Sequence, residues 1–154
     1  MNYGLRFLPS AVLQARYLDG GHGRLAGFWY EESALTDGDV GSLITLLGLN
    51  YTTVVGEPCF DSLPSHIGVI RFPVTRAIHL GSAFALSSGA GGFLPNPPDT
   101  VRWTGNGFAP SESCIPEHVL ESVELPQESE ALLIDHNGHR TSLARYTREG
   151  WRML

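Results

Sequence analysis

Several side chains in this sequence are of types that do chemistry. The first group is Asp135-His136-Asn137-Gly138-His139. Aspartate and histidine are metal ligands, and three of them fall within one short stretch. Yet Asn-Gly between apolar runs is a strong signal for a tight hairpin. Such a turn sends its flanking side chains along adjacent strands, not around one point. The expected reading is therefore a two-residue turn with positive φ, and no metal site. A second group is Cys59, which follows Glu57-Pro58, with His66 and His79 further on. A thiol nucleophile needs a histidine in hydrogen-bond contact, and chain order alone does not supply that. A buried, inert cysteine is the expectation. Cys59 and Cys114 form no Cys-x-x-Cys pair, so reduced thiols and no structural zinc are expected.

A third group is spread along the chain. Arg6 lies in an apolar N-terminal stretch, Ser87-Ser88 follows Ala83-Phe84-Ala85-Leu86, and Glu112 precedes Cys114-Ile115-Pro116-Glu117. Between them stands Gly23-Arg24-Leu25-Ala26-Gly27-Phe28-Trp29-Tyr30. This order of elements resembles ADP-ribosyltransferase-like toxins and effectors, which use NAD as the ADP-ribose donor. The resemblance implies that Arg6 grips a phosphate of NAD and that Ser87 and Ser88 order the site. It implies that Tyr30, at the end of an aromatic second strand, packs on nicotinamide, and that Glu112 is the catalytic carboxylate. Breaking the nicotinamide–ribose bond builds positive charge on the sugar, so a nearby carboxylate stabilises the transition state more than the ground state. A guanidinium fork suits a pyrophosphate. The chain departs from the family at Pro110, where a Glu or Gln often stands, and at Ser87-Ser88, which replaces a Ser-Thr-Ser triplet.

A fourth feature is charge order. Glu112, Glu117, Glu121, Glu124, Glu128 and Glu130 precede Arg140, Arg145, Arg148 and Arg152. An acidic surface could steer association with a basic protein partner. The alternative to an enzyme is thus a non-catalytic protein-binding inhibitor, of the immunity or phage anti-defence kind. In the simpler reading the acids are solvated and the later arginines partly neutralise them.

The elements that must position these residues follow from pattern. Residues 3–8 read as a strand, and 11–18 as a short helix capped by Ser10. After the glycine-rich turn 19–23, residues 24–30 form a second strand. In 39–47 the apolar Val40, Leu43, Ile44 and Leu47 recur at helical spacing, with Asp37 or Asp39 to cap the start and Gly48 to end it. Strands are expected at 51–55, 67–74 and 78–86. Residues 87–110, rich in glycine and proline, read as a long loop. Pro116 suits the first turn of a helix running to about Ser122. Residues 131–134 and 140–144 flank the Asn-Gly turn, and 151–154 add a last strand. The fold class is α+β: one domain with a mixed or mainly antiparallel sheet and two or three short helices.

Composition bounds the function. The 154 residues suit a single domain with one core. Net charge −6 argues against phosphate-backbone binding by a nucleic-acid protein. All 10 basic residues are arginine, which excludes lysine Schiff bases and a Walker-type phosphate loop. No apolar run is long enough to cross a membrane, and the N-terminus lacks a basic-then-apolar secretory pattern. A cytoplasmic protein is the expectation.

Overall fold

The computed structural model describes residues 2–35, 43, 64–84 and 118–154. The element order begins with strand β1 (Tyr3–Pro9), helix α1 (Ser10–Val12), a π-helical segment (Leu13–Asp19) and β2 (Arg24–Glu31). A 3₁₀ turn (Glu32–Ala34), β3 (His66–Pro73), α2 (Arg76–Gly81) and β4 (Ser82–Phe84) follow. The chain then supplies β5 (His118–Glu124), β6 (Glu130–Asp135), β7 (Arg140–Thr147) and β8 (Gly150–Met153). These eight strands form one sheet in the order β4-β5-β2-β1-β3-β6-β7-β8. Every pairing is antiparallel. Of the mixed or mainly antiparallel sheet expected, the antiparallel form is present with few short helices, and the described chain is richer in sheet than the α+β label implies.

Strand β3 explains the layering. It reads His-Ile-Gly-Val-Ile-Arg-Phe-Pro, nearly continuous in apolar residues, which is the mark of a strand covered on both sides. Ile67 and Val69 point to one face, where they join Leu5, Phe7, Tyr30, Leu132, Ile134 and Leu43. Ile70 and Phe72 point to the other, where they meet Leu8, Leu13, Tyr17, Leu25, Trp29 and Ile78. The second face is concave. The Trp151 indole donates to the carbonyl of His22, just before β2, at 2.9 Å. In a flat sheet β8 and β2 would stand five strand spacings apart, about 24 Å. The sheet therefore curls around the π-helical segment, which buries Leu13 and Tyr17 against it.

Several local expectations are corrected. The segment after β1 is helical, but Ser10 lies inside the helix and no side chain caps its start. Most of it is π-helical, with the Gly20 amide donating to the Ala15 carbonyl at 3.0 Å. The wider turn keeps Leu13 and Tyr17 together on the sheet side. Of residues 78–86, expected as one strand, 78–81 end the helix α2 and Ser82–Phe84 pairs with β5; 85 and 86 lie outside the described residues. Of the helix expected from Pro116 to Ser122, residues 118–122 are instead part of strand β5, because Leu120 and Val123 face the concave core from a strand that pairs with β2; Pro116 lies outside the described residues. The final hairpin and the strand after it are present. Its loop is longer than two residues, however. The Gly138 amide donates to Asp135 O and the Asp135 amide to His139 O, each at 3.0 Å, and Gly138 alone in that turn takes positive φ, 82°. This is a type I turn closed by a glycine bulge, the usual three-residue hairpin loop. Of the expected helix at 39–47, Leu43 is described and is 3% exposed. The rest of it, the strand at 51–55 and the loop at 87–110 lie outside the described residues.

Two stability outcomes follow. Gly138→Val forces a β-branched residue to positive φ and should destabilise by roughly 1–3 kcal/mol, read as a lower urea midpoint. Leu43→Ala should cost about 2–5 kcal/mol, because the cavity opens against packed Leu5 and Val69.

Candidate functional site

Arg6 sits where the sheet divides. Strand β1 pairs with β3 along its whole length, from Tyr3↔Pro73 to Pro9↔Ile67. It pairs with β2 only at Gly4↔Glu31 and Leu5↔Tyr30. Beyond that point the two strands part, and the side chain of Arg6 bridges the gap. Its Nη1 donates to the carbonyl of Phe28 at 3.1 Å. Its Nε is buried and finds no acceptor. Among the described residues no carboxylate pairs with it. Among the described residues the half-buried guanidinium thus keeps most of its hydrogen-bonding capacity and has no compensating charge, which favours an anion beside it.

Gly27 makes room for that group. A Cβ at residue 27 would stand 2.9 Å from Arg6 Cζ, and Gly27 has φ +94, a conformation glycine adopts freely. The β2–β5 register also shifts between Leu25 and Gly27. A glycine beside a cation that has no carboxylate partner among the described residues is a local feature that sequence reading passed over; Gly27, within the otherwise bulky strand β2, was its only trace.

Strand alternation decides which other candidates join Arg6. Tyr30 is opposite Leu5, on the convex face, and its ring tilts against Phe7 at 6.0 Å between centroids. It is 2% exposed, within the core. Arg6 leaves the sheet on the concave face. The expected convergence of Arg6 and Tyr30 on one cleft is therefore corrected: adjacent register positions of opposite parity cannot line the same side of a sheet. Trp29 takes the place beside Arg6 on the concave face, packed edge-on to Phe72 and stacked on the His118 ring at 4.5 Å and 19°. Ser87, Ser88 and Glu112 lie outside the described residues, as do Cys59 and Cys114. His66 is exposed, with Nδ1 3.1 Å from Ser65 Oγ.

The turn histidines are held by backbone geometry. Asp135 Oδ1 accepts from the amides of Asn137 at 2.8 Å and His139 at 3.0 Å. Those bonds, the one from His139 first, hold the Asp135 carboxyl below its ordinary range. The His139 ring is 3.7 Å from Asp135 Oδ2 and largely exposed. The carboxylate closes the turn.

The acidic run is partly neutralised. Arg145 lies 3.9 Å from both Glu128 and Glu130. Glu124 is exposed at the end of β5, and Ser122, two residues before it, accepts from Arg24 at 2.6 Å.

A separate ion cluster braces the convex face. Arg71 meets Glu32 through two bonds, Nε to Oε2 at 2.8 Å and Nη2 to Oε1 at 3.1 Å. Arg140 reaches the same Oε2 at 3.1 Å, and the Arg71 guanidinium covers the Tyr3 ring at 3.6 Å. The Arg71 hydrogen bond, more than any other cause, lowers the Glu32 carboxyl from its ordinary value, against a smaller opposing effect of burial.

Comparison of the chain with families of proteins, with curated proteins and with solved structures finds no match. Among the described residues no helix is long and apolar enough to cross a membrane.

Because Glu32 has a lowered pKa in the folded chain, its contribution is present above the unfolded value, near 4.3, and fades as pH falls through the folded one. The cluster is partly solvated, so its worth is at most about 1 kcal/mol. Glu32→Gln should lower stability at pH 7, and the gap to the parent chain should close in melts taken progressively below pH 4.3.

Proposed function

We propose that this chain is an ADP-ribosyltransferase-like enzyme that takes NAD as its ADP-ribose donor, with Arg6 seating the pyrophosphate. The observation that carries the reading is the state of Arg6: a half-buried guanidinium with no carboxylate partner among the described residues, at the point where β1 and β2 separate, with Gly27 clearing the space before it. A planar cation with free donors matches a pyrophosphate, whose oxygens accept in pairs. The order of Arg6, the aromatic strand β2 and Glu112 along the chain supports the same reading. In this proposal nicotinamide leaves with the electrons of its glycosidic bond, and the Glu112 carboxylate stabilises the cationic sugar that remains. A nucleophile on an acceptor, or water, then bonds to the anomeric carbon and loses its proton. Tyr30 has no part, since it serves the convex core; Trp29, stacked on His118, is the β2 ring on the Arg6 face.

The test is NAD binding and nicotinamide release by the full chain. Arg6→Ala removes a charge-assisted pair and should weaken NAD binding by about 10- to 150-fold. Gly27→Ala, which pushes the guanidinium aside, should weaken it in the same direction. Glu112→Gln should leave NAD bound while turnover drops by orders of magnitude. Absence of NAD binding at millimolar concentration, or binding that ignores Arg6, would sink the proposal.

A further inference from the structure

We infer that the β8 edge of the sheet is a docking site for an extended acidic peptide, which adds to it as a ninth strand. The backbone register identifies which groups are free. The Leu154 amide donates to the Leu143 carbonyl at 3.0 Å, so these two residues form a hydrogen-bonded pair. Antiparallel pairs alternate between hydrogen-bonded and open. Arg145↔Arg152 and Thr147↔Gly150 are therefore hydrogen-bonded, whereas Ala144↔Met153 and Tyr146↔Trp151 are open. On β7 the same parity holds, because Tyr146 exchanges its backbone bonds with Ser129 and Glu128 on the far side. The N–H and C=O groups of Trp151 and Met153 consequently point away from β7, off the edge of the sheet. An incoming strand meets them directly.

Charge selects the occupant. Arg148 and Arg152 are exposed and make no ion pair or side-chain hydrogen bond among the described residues. An open hollow of about 610 Å³ borders the edge, lined by Gln127, Thr147, Arg148, Trp151 and Arg152, with Glu149 the one carboxylate among its lining residues. Met153, 59% exposed, adds an apolar contact beside the free backbone groups. On an added strand the residue opposite Arg152 lies on the same face, at the distance where opposite charges attract and like charges repel. An acidic residue there is favoured. A second copy of this chain is not: two-fold pairing of β8 through Trp151 and Met153 sets Arg152 against the same residue of the other copy.

The edge is independent of the Arg6 site. The experiment is an amide NMR titration of the full chain with two blocked peptides, Thr-Glu-Val-Glu-Val-Glu-Thr and its counterpart with lysine for glutamate. The acidic peptide should shift the amides of Trp151 and Met153 and leave those of β3 in place. The lysine peptide should bind at least about tenfold more weakly. Met153→Pro removes an outward amide that makes no ladder bond, so β6 and β7 should keep their signals while peptide binding is lost. Arg152→Glu, which leaves the backbone intact, should reverse the preference between the peptides. Equal binding of both peptides, shifts confined to another surface, or full binding by Met153→Pro would each overturn the inference. So would β8 shifts that depend on protein concentration without peptide, which would name a second copy as the occupant.

Discussion

Ile67, Val69, Ile70 and Phe72 are fully buried, two on each face of β3, and the whole fold is arranged to keep them so. At about 1.5–3 kcal/mol for each side chain, this one strand contributes on the order of 6–12 kcal/mol of apolar burial. That is comparable with the net stability of an entire domain. The ion cluster at Glu32 is worth an order of magnitude less. Burial on two faces demands two covers. The π-helical segment and Ile78 cover the concave face, and Leu43 is part of the cover on the convex one.

The sheet whose curl closes the concave face also carries the Arg6 site. Within this curled sheet the β1–β2 pairing is confined to two residue pairs, Gly4↔Glu31 and Leu5↔Tyr30. Arg6 comes directly after them. A cation there costs desolvation unless something compensates it. The Phe28 carbonyl does so in part, and the remaining Nε is unpaired. A half-buried guanidinium with one carbonyl partner and an unpaired Nε is what makes an anion a natural partner at this point. The same curl brings β8 to the start of β2, where Trp151, Tyr17, Tyr146 and His22 pack together, and it leaves the outer backbone of β8 facing solvent.

The local errors share one cause. Pro116 and the run through Ser122 carry a helix-start signal, yet tertiary pairing with β2 draws 118–124 into the sheet. A short segment of this kind lacks the length for its own propensity to prevail. Residues 78–84 divide between helix and strand for a related reason. Ile78 must cover the concave core, whereas Ser82 to Phe84 reach the edge where β5 needs a neighbour. The Asn-Gly turn is a milder case. Glycine was legible as the residue of positive φ, but the Asp135 carboxylate binds the amides of Asn137 and His139, which favours the longer type I loop over a two-residue one.

The sequence by itself determined the strands whose apolar pattern is self-sufficient: β1, β2, β3, and the pair β6 and β7 around the turn. It also pointed to a mixed or mainly antiparallel sheet, since too few helical segments separate the strands for parallel crossovers; that every described pairing is antiparallel was left to the tertiary structure. Arg6 was legible as a candidate by residue type and place. Its neighbours were not. Tyr30 and Trp29 are adjacent in the chain and equally aromatic, and nothing local says which one shares a face with Arg6. That choice depends on which residue of β2 meets Leu5, a register set by packing across the whole sheet. A shift of one position would exchange the two rings, so only the tertiary structure could decide between them.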